Sequence, residues 1–482
     1  MNLKKIFRKK SFEELSKEAN SSKGLIRSMG AFQLILLGIG AIIGGGVFVL
    51  TGTAAFNHAG PAITLSFALS GVVCICAGLC YAEFASMIPV SGSSYTYAYA
   101  TLGELPAWLI GCFTVLAYFL SAASVANGWS SYFVGLLEHY DIYLPGKFIH
   151  VTGHLYTGSN GEIKKAFFNL PAFLISVTTM FILCRGTQGS STVNAIIVFI
   201  KMAILFLFIA IGITKIDFGN WVPFIPENTG TFGEYGVSGI VAGVSIVFLA
   251  FNGFDSICTA AQEAKNPQKN LPIGIIGAII IATITYILIG AVLTGVVNYK
   301  DLNTAQPFAV AAKKMGSTTF LLFVKVGAVA AITSVILVHQ YAIVRMIYSI
   351  TKDGLLPAFF KKIHEKYHTP YLTTIIIGLA MGLVSATTEL EELVKLSTFF
   401  ILLTIVVICF STIYLRYKRP DLKRNFKCPF VPWVPMIAII LAGQILFSYP
   451  LITIKYALIC LVICTIYYLS YGKHKSHLEK KS

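Results

Sequence analysis

Residues 38–46 read GIGAIIGGG and lie inside the first long apolar run of the chain. Glycine in a helix interior costs about 1 kcal/mol relative to alanine, so three consecutive glycines at positions 44–46 predict that the helix unwinds there. Unwound backbone at membrane depth is tolerated only where it is buried in protein or lines a cavity. The stretch therefore predicts a binding site built from bare amides and carbonyls.

The composition around this stretch is that of a membrane protein. Of 482 residues, 56% are hydrophobic and 12% are charged, whereas soluble domains carry about 25% charged residues. A spanning helix needs about 20 apolar residues, and the twelve candidate runs are 31–55, 61–88, 105–137, 167–185, 190–214, 237–262, 272–297, 318–351, 371–388, 392–416, 430–449 and 452–471. The sequence therefore predicts an all-α polytopic membrane protein with 12 transmembrane helices.

The net charge of +16 is distributed unevenly. Lys and Arg are concentrated in residues 1–28 and in the loops on the same side of the predicted spans, and they are sparse in the other loops. Cytoplasmic loops carry such an excess, so both termini are predicted to be cytoplasmic, beside anionic lipid of the cell membrane. The basic N-terminal segment is interpreted as a topology signal, not as a nucleic-acid-binding arm.

A second interruption lies in the sixth run, where residues 248–255 read FLAFNGFD. Asn252 and Gly253 put a polar side chain and a helix breaker in mid-span. The two interruptions are five spans apart, and this odd offset gives two halves of opposite orientation. A single broken helix could be a packing feature, but interrupted spans at matching positions of inverted halves indicate a transporter site near the midplane.

The two breaks together suit the backbone of an amino acid. Amides of Gly44, Gly45 and Gly46 begin a half-helix, whose positive end favours a carboxylate. Free carbonyls near the breaks favour an ammonium group, and they belong to Ile42, Ile43, Phe248, Leu249 and Ala250. The predicted partner is therefore an amino acid zwitterion, and no metal or other cofactor is predicted.

Lys201 lies in the middle of the fifth run, in the sequence NAIIVFIKMAIL at residues 194–205. A lysine at the centre of a spanning helix costs about 2.5–3.5 kcal/mol on insertion scales. One interpretation is a lysine that snorkels or serves packing. The alternative is a buried amine that gains and loses a proton during transport, because desolvation favours its neutral form.

Other charged residues lie near the ends of spans. Glu83 closes the second run, Asp255 and Glu263 flank the inner part of the sixth, and Arg345 is in the eighth. For Glu83 a structural or gating ion pair is favoured over a proton relay. For Asp255, Glu263 and Arg345 the hypothesis is a cytoplasmic gate whose pairing the sequence leaves open.

Several motifs resemble those of the amino acid–polyamine–organocation (APC) superfamily, in particular its cationic amino acid transporter branch and the bacterial proton-coupled members. The matching segments, in family order, are GIGAIIG at 38–44, PVSGSSYTY at 89–97, GFD at 253–255, EAKNPQ at 263–268, LPIG at 271–274 and KDGLLP at 352–357. The resemblance implies a LeuT-like five-plus-five inverted repeat with broken first and sixth helices. It also implies that Lys201 takes the place of a sodium ion, facing Thr333, Ser334 and first-span carbonyls, which suggests proton coupling.

The chain departs from the family pattern at three positions. Gly45 stands where a hydroxyl residue is common, Asn252 stands where an apolar residue is common, and Ala117 stands where this branch often has an acid. The missing hydroxyl leaves backbone amides to bind the carboxylate. The missing acid argues against a strictly cationic substrate, so a neutral or broad amino acid is expected.

The predicted function is secondary active uptake of amino acids, by proton symport and alternating access, and not enzymatic catalysis. An exchanger or polyamine carrier of the same fold is the first alternative, and a non-transporting amino acid sensor is the second. The predicted parts are a cytoplasmic segment at 1–28, a transport core with spans 1–10 at 29–416, spans 11–12 at 417–472 and a cytoplasmic tail at 473–482. The oligomeric state is left open, a monomer included.

Overall fold

The structure is a computed structural model that describes most of the chain. The described residues are 8–11, 15, 29–90, 92–157, 162–186, 188–316, 318–367 and 369–477, with backbone alone for 188–194. Most of the predicted segment 1–28 and the end of the predicted tail, residues 478–482, lie outside these ranges.

The described chain is mostly helical. Its α-helices are α1 (Ala31–Ile42), α2 (Thr51–Ala54), α3 (Ile63–Met87), α4 (Ser93–Thr101), α5 (Glu104–Glu138), α6 (Leu170–Cys184), α7 (Gln188–Ile213), α8 (Gly236–Val247), α9 (Ser256–Thr259), α10 (Pro267–Val296), α11 (Pro307–Lys314), α12 (Thr318–Lys352), α13 (Tyr371–Thr387), α14 (Leu390–Lys418), α15 (Trp433–Phe447), α16 (Leu451–Tyr467) and α17 (Lys473–Lys475). A small antiparallel hairpin between α5 and α6 consists of β1 (Leu155–Thr157) and β2 (Ile163–Lys165).

Short turns of other helical types interrupt or extend these elements. The π-helical turns are Gly46–Leu50, Ala55–Ala59 and Tyr468–Gly472. The 3-10 turns are Gly60–Ala62, Gly146–Phe148, Phe218–Trp221, Phe248–Phe251, Ala261–Glu263, Tyr299–Asp301 and Ala358–Lys361.

Eight segments of the described chain are long and apolar enough to cross a membrane. The first, Ala31–Met87, contains two of the predicted runs, and the shorter apolar helices α6, α13 and α15 occupy three more. Each predicted run thus contains a helix, and most helix ends lie within a few residues of the predicted ones. The protein is a polytopic helical membrane protein.

The first helix is broken at the glycines. α1 ends at Ile42, Ile43 is extended with φ −81° and ψ 110°, and helical geometry resumes at Gly45. Gly46 lies so close to the second break that a Cβ built on it would be 2.4 Å from the Cα of Ala250. Only a residue without a side chain allows two backbones to approach in this way.

The second break lies in the sixth run, as the sequence predicts. α8 ends at Val247, the 3-10 turn Phe248–Phe251 follows, and Asn252 is extended with φ −59° and ψ 136°. Gly253 then adopts φ +104°, a conformation that residues with a Cβ rarely adopt. The chain therefore turns sharply before α9 begins at Ser256.

Helices five spans apart pack against each other. α3 packs on α10, α5 on α12 and α6 on α13, and the turn after the first break contacts the 3-10 turn of the second. α1 also contacts both α7 and α12. This packing brings the two breaks and the middle of α7 together in the interior.

The two ends of the described chain meet at Asp353, which directly follows α12. Its carboxylate accepts hydrogen bonds from Lys10 Nζ and, at 2.7 Å, from the hydroxyl of Tyr95. The backbone amide of His477 donates to the carbonyl of Asp353 at 3.0 Å. Both terminal segments therefore lie on the same side of the molecule.

Candidate functional site

The amine of Lys201 lies beside the end of α1 in the middle of the fold. The residue has no exposed surface. Its Nζ donates to the carbonyls of Ile43 at 2.6 Å and Gly40 at 3.0 Å, and to Oγ of Ser334 at 3.2 Å. These three partners are neutral oxygens of the kind that also coordinate small cations. The amine therefore lies in a buried position surrounded by three neutral oxygens.

The family resemblance implies that two hydroxyls of α12 face this amine, and the structure places one of them there. Ser334 faces Lys201, but the hydroxyl of Thr333 accepts a bond from Trp129 Nε1 at 2.9 Å and donates to the carbonyl of Val329 at 2.7 Å. With 3.6 residues in each turn, neighbouring helical residues point in directions about 100° apart. Thr333 therefore faces α5, and the expectation that it faces the amine is wrong.

Most of the carbonyls predicted to receive the substrate's ammonium group already have donors within the protein. Ile43 accepts from Lys201, and the carbonyl of Leu249 accepts from the amide of Asn252 at 3.0 Å. Phe248 is fully buried in the same turn. Each carbonyl oxygen has two lone pairs, so a ligand that enters would share these oxygens with the protein.

Tyr286 of α10 joins the two breaks, and reasoning from the sequence missed it. Its hydroxyl lies 2.9 Å from the carbonyl oxygen of Ile42 and 2.8 Å from that of Ala250. A phenol has a single proton and donates to one carbonyl at a time. The available signal was a lone aromatic residue in the middle of an otherwise aliphatic run.

We expect Tyr286→Phe to lower the initial rate of uptake about tenfold, because it leaves a buried carbonyl at the breaks without its donor. Such a loss costs about 1–3 kcal/mol. The measurement is the initial rate in proteoliposomes containing equal amounts of protein. Tyr97→Phe is the matched control, since Tyr97 is equally buried and its ring stacks on that of Phe84 in α3. Equal rates for Tyr286→Phe and the unaltered protein would show that the bridge is dispensable.

The first break is closely packed at the position that lacks a hydroxyl. A Cβ built on Gly45 would lie 2.5 Å from Cγ1 of Val125 in α5. Val125 therefore fills the space that a side chain at position 45 would need. The carbonyl of Gly44 accepts the first amides of the new helical segment, from Val47 at 3.1 Å and Phe48 at 3.2 Å.

A small cavity lies beside the second break. Its lining includes Ala117 and Tyr118 of α5, together with Asn252 and Asp255. The hydroxyl of Tyr118 donates to the carboxylate of Asp255. Two of the three departures from the family pattern, Ala117 and Asn252, thus meet in one cavity.

Comparison with known proteins identifies the family. The sequence profile described as amino acid permease matches residues 29–468. The chain belongs to the amino acid permease family. The methylthioribose transporter and the branched-chain amino acid permease BcaP, both of Bacillus subtilis, are each 40% identical to it over 98% of this chain and 99% of the relative. The cationic amino acid transporter 9 of Arabidopsis thaliana is 38% identical over 72% of this chain and 59% of its own length.

Membership of this family makes the chain a transporter and not an enzyme. The two Bacillus subtilis relatives match it along almost their full length.

Glu83 of this permease holds the segment between α14 and α15. It accepts hydrogen bonds from Arg416 at 2.7 and 2.9 Å, from Arg424 Nε at 3.0 Å and from the amide of Cys428 at 2.8 Å. The side chain of Glu83 is 2% exposed and that of Arg424 is 4% exposed. One carboxylate thus neutralises part of the charge of two guanidinium groups at the end of α3.

The other charged residues proposed for a gate are separate from this cluster. Arg345 of α12 donates to Glu263, which also accepts a bond from the hydroxyl of Tyr341 at 3.2 Å. Asp255 is bonded to Tyr118 and lines the cavity. The structure therefore brings together Arg345 and Glu263, with Asp255 engaged elsewhere.

Proposed function

We propose that this permease is a proton-coupled carrier that takes up amino acids by alternating access. The observation that carries the proposal is the fully buried amine of Lys201, held by three neutral oxygens between α1 and α12. When the amine is protonated it has three donors, which match these three oxygens. When it is neutral one donor is lost, so the contact between α1, α7 and α12 weakens. Protonation thereby controls whether these helices move apart.

The proposed substrate is a neutral or broad set of amino acids. Its carboxylate binds the amides of residues 44–46, and its ammonium group shares carbonyls at the two breaks. The names of the family and of BcaP support this substrate class. A second candidate is methylthioribose, because the transporter of that compound is equally similar to this chain.

The proposed architecture has twelve spans, of which the first ten form an inverted repeat. The packing of α3 on α10, α5 on α12 and α6 on α13 supports it, because each pair joins spans five apart. The proposed location is the cell membrane with both termini in the cytoplasm. The common contact of Lys10 and His477 with Asp353 supports termini on one side, and the excess of Lys and Arg there supports the cytoplasmic side.

The proposal is tested with purified protein in proteoliposomes. We expect labelled amino acids to accumulate when the lumen is alkaline relative to the bath, and we expect a protonophore to abolish this accumulation. Replacing sodium by potassium should leave the rate unchanged. Uptake that requires sodium and ignores the pH gradient would refute proton coupling. Methylthioribose uptake in the absence of any amino acid uptake would favour the second candidate.

A further inference from the structure

The cavity beside the second break contains a polar group that lacks a partner. Asn252 is 3% exposed and lines the cavity. Its Nδ2 has no hydrogen-bond partner among the described residues. A buried amide in this condition costs about 1–3 kcal/mol, and most buried polar atoms in native proteins are satisfied. A ligand that hydrogen-bonds to Asn252 would remove this cost.

Three other polar side chains of the cavity wall have hydrogen-bond partners within the protein. Tyr118 donates to Asp255. The hydroxyl of Thr114 donates to the carbonyl of Ile110 at 2.8 Å. The hydroxyl of Thr404 donates to the carbonyl of Phe400, one turn earlier in α14, at 2.9 Å. Asn252 is therefore the group of the wall that gains most from a polar ligand.

A second buried polar side chain, His339, lies behind this wall. The ring of His339 stacks on that of Tyr118 with centroids 5.1 Å apart. His339 is 1% exposed, and its Nε2 would lie 3.0 Å from a Cβ built on Gly253 at the second break. His339 therefore packs against a residue of the cavity wall and is not part of the lining itself.

The size of the cavity limits the group that fits. About 10 Å³ is open to the centre of a water-sized sphere, which is close to the minimum that holds one water. A hydroxyl has this size, and it both donates and accepts. It therefore satisfies the carboxamide of Asn252 whichever of its two ends faces the ligand. A methyl group of equal size satisfies neither end.

We propose that this cavity is a side-chain subsite for small hydroxyl-bearing amino acids, and that Asn252 selects serine and threonine over aliphatic amino acids of similar size. The inference rests on the proposed function and extends it from the amino acid backbone to the side chain. Ala117 contributes by leaving the space open, since a longer residue at this position would extend into the cavity.

The test uses pairs of amino acids that differ in one hydroxyl. Threonine and valine are nearly isosteric, and serine differs from alanine by the hydroxyl alone. We expect the unaltered protein to bind threonine at least tenfold more tightly than valine, with the same order for serine and alanine. A site built to hydrogen-bond a hydroxyl rejects the analogue that lacks it. Asn252→Leu, which keeps the branching and the number of side-chain heavy atoms but removes the polar group, should bring the threonine-to-valine ratio to about one.

The control variant is Tyr467→Phe. It removes a buried hydroxyl that also lacks a partner among the described residues. Tyr467 is the last residue of α16 and does not line the cavity. The variant should leave the ratio unchanged. Equal or tighter binding of valine by the unaltered protein would overturn the inference, and this measurement needs no variant. An unchanged ratio in Asn252→Leu would also overturn it, as would tighter binding of lysine than of threonine, because Asp255 would then govern the subsite. If no amino acid binds at all, the proposed function fails together with the subsite.

Discussion

Replacing Lys201 with methionine should abolish accumulation driven by a pH gradient. Methionine has a similar length, but it has no proton to exchange and no donor for the oxygens of Gly40, Ile43 and Ser334. The concentration ratio across the membrane should fall to the value reached without a gradient. The measurement is the steady-state ratio of a labelled amino acid in proteoliposomes, with and without an alkaline lumen.

Two further variants make this result specific. Lys201→Arg keeps a permanent positive charge that is not released at any ordinary pH, so it should also fail to couple uptake to protons. Lys325→Met is the matched control, because Lys325 lies in α12 and donates to the carbonyl of Gly135 away from the breaks. It should accumulate substrate normally. Accumulation by Lys201→Met equal to that of the unaltered protein would assign Lys201 to packing.

Replacing Glu83 with alanine should destabilise the fold more than any surface change. The substitution leaves the guanidinium groups of Arg416 and Arg424 without their carboxylate, and Arg424 is 4% exposed. Removing one partner of a buried ion pair costs about 3–5 kcal/mol. We expect the melting temperature of the purified protein in detergent to fall by roughly 3–5 °C. Glu83→Gln keeps the shape of the side chain and some of its hydrogen bonds, so it should lower the melting temperature by less.

The control for this prediction is an ion pair on the surface. Glu162 and Lys164 form a contact at 3.2 Å with side chains that are 65% and 51% exposed. Exposed pairs of this kind contribute about 0–1 kcal/mol, so Glu162→Ala should leave the melting temperature nearly unchanged. A melting temperature for Glu83→Ala equal to that of the unaltered protein would mean that water or other groups compensate the two arginines.

The helix breaks were predictable because their cause is local. Three glycines at 44–46 and the pair Asn252–Gly253 disfavour helix by their own backbone preferences, and the structure breaks both helices there. The apolar runs were predictable for a similar reason, since length and hydrophobicity define a spanning segment. The residues from other helices that contact each break were not predictable from glycine content or hydrophobicity.

The partners of the site residues depend on contacts between distant parts of the chain. Thr333 and Ser334 are adjacent and chemically similar, so only the rotation of α12 decides which hydroxyl reaches Lys201. Tyr286 is an ordinary aromatic residue until α10 packs against both breaks. The arginines that bind Glu83 follow it by more than three hundred positions in the chain.

The sequence by itself determined the class of protein, the positions of the apolar runs and helix breaks, and the presence of a lysine in mid-span. These features follow from hydrophobicity and from the backbone preferences of glycine, which act over a few residues. The tertiary structure alone decided that Lys201 is surrounded by neutral oxygens and that Asn252 and Ala117 share a cavity. Hydrogen bonds act over about 3 Å, and only the packing of helices far apart in the chain brings their partners within that distance.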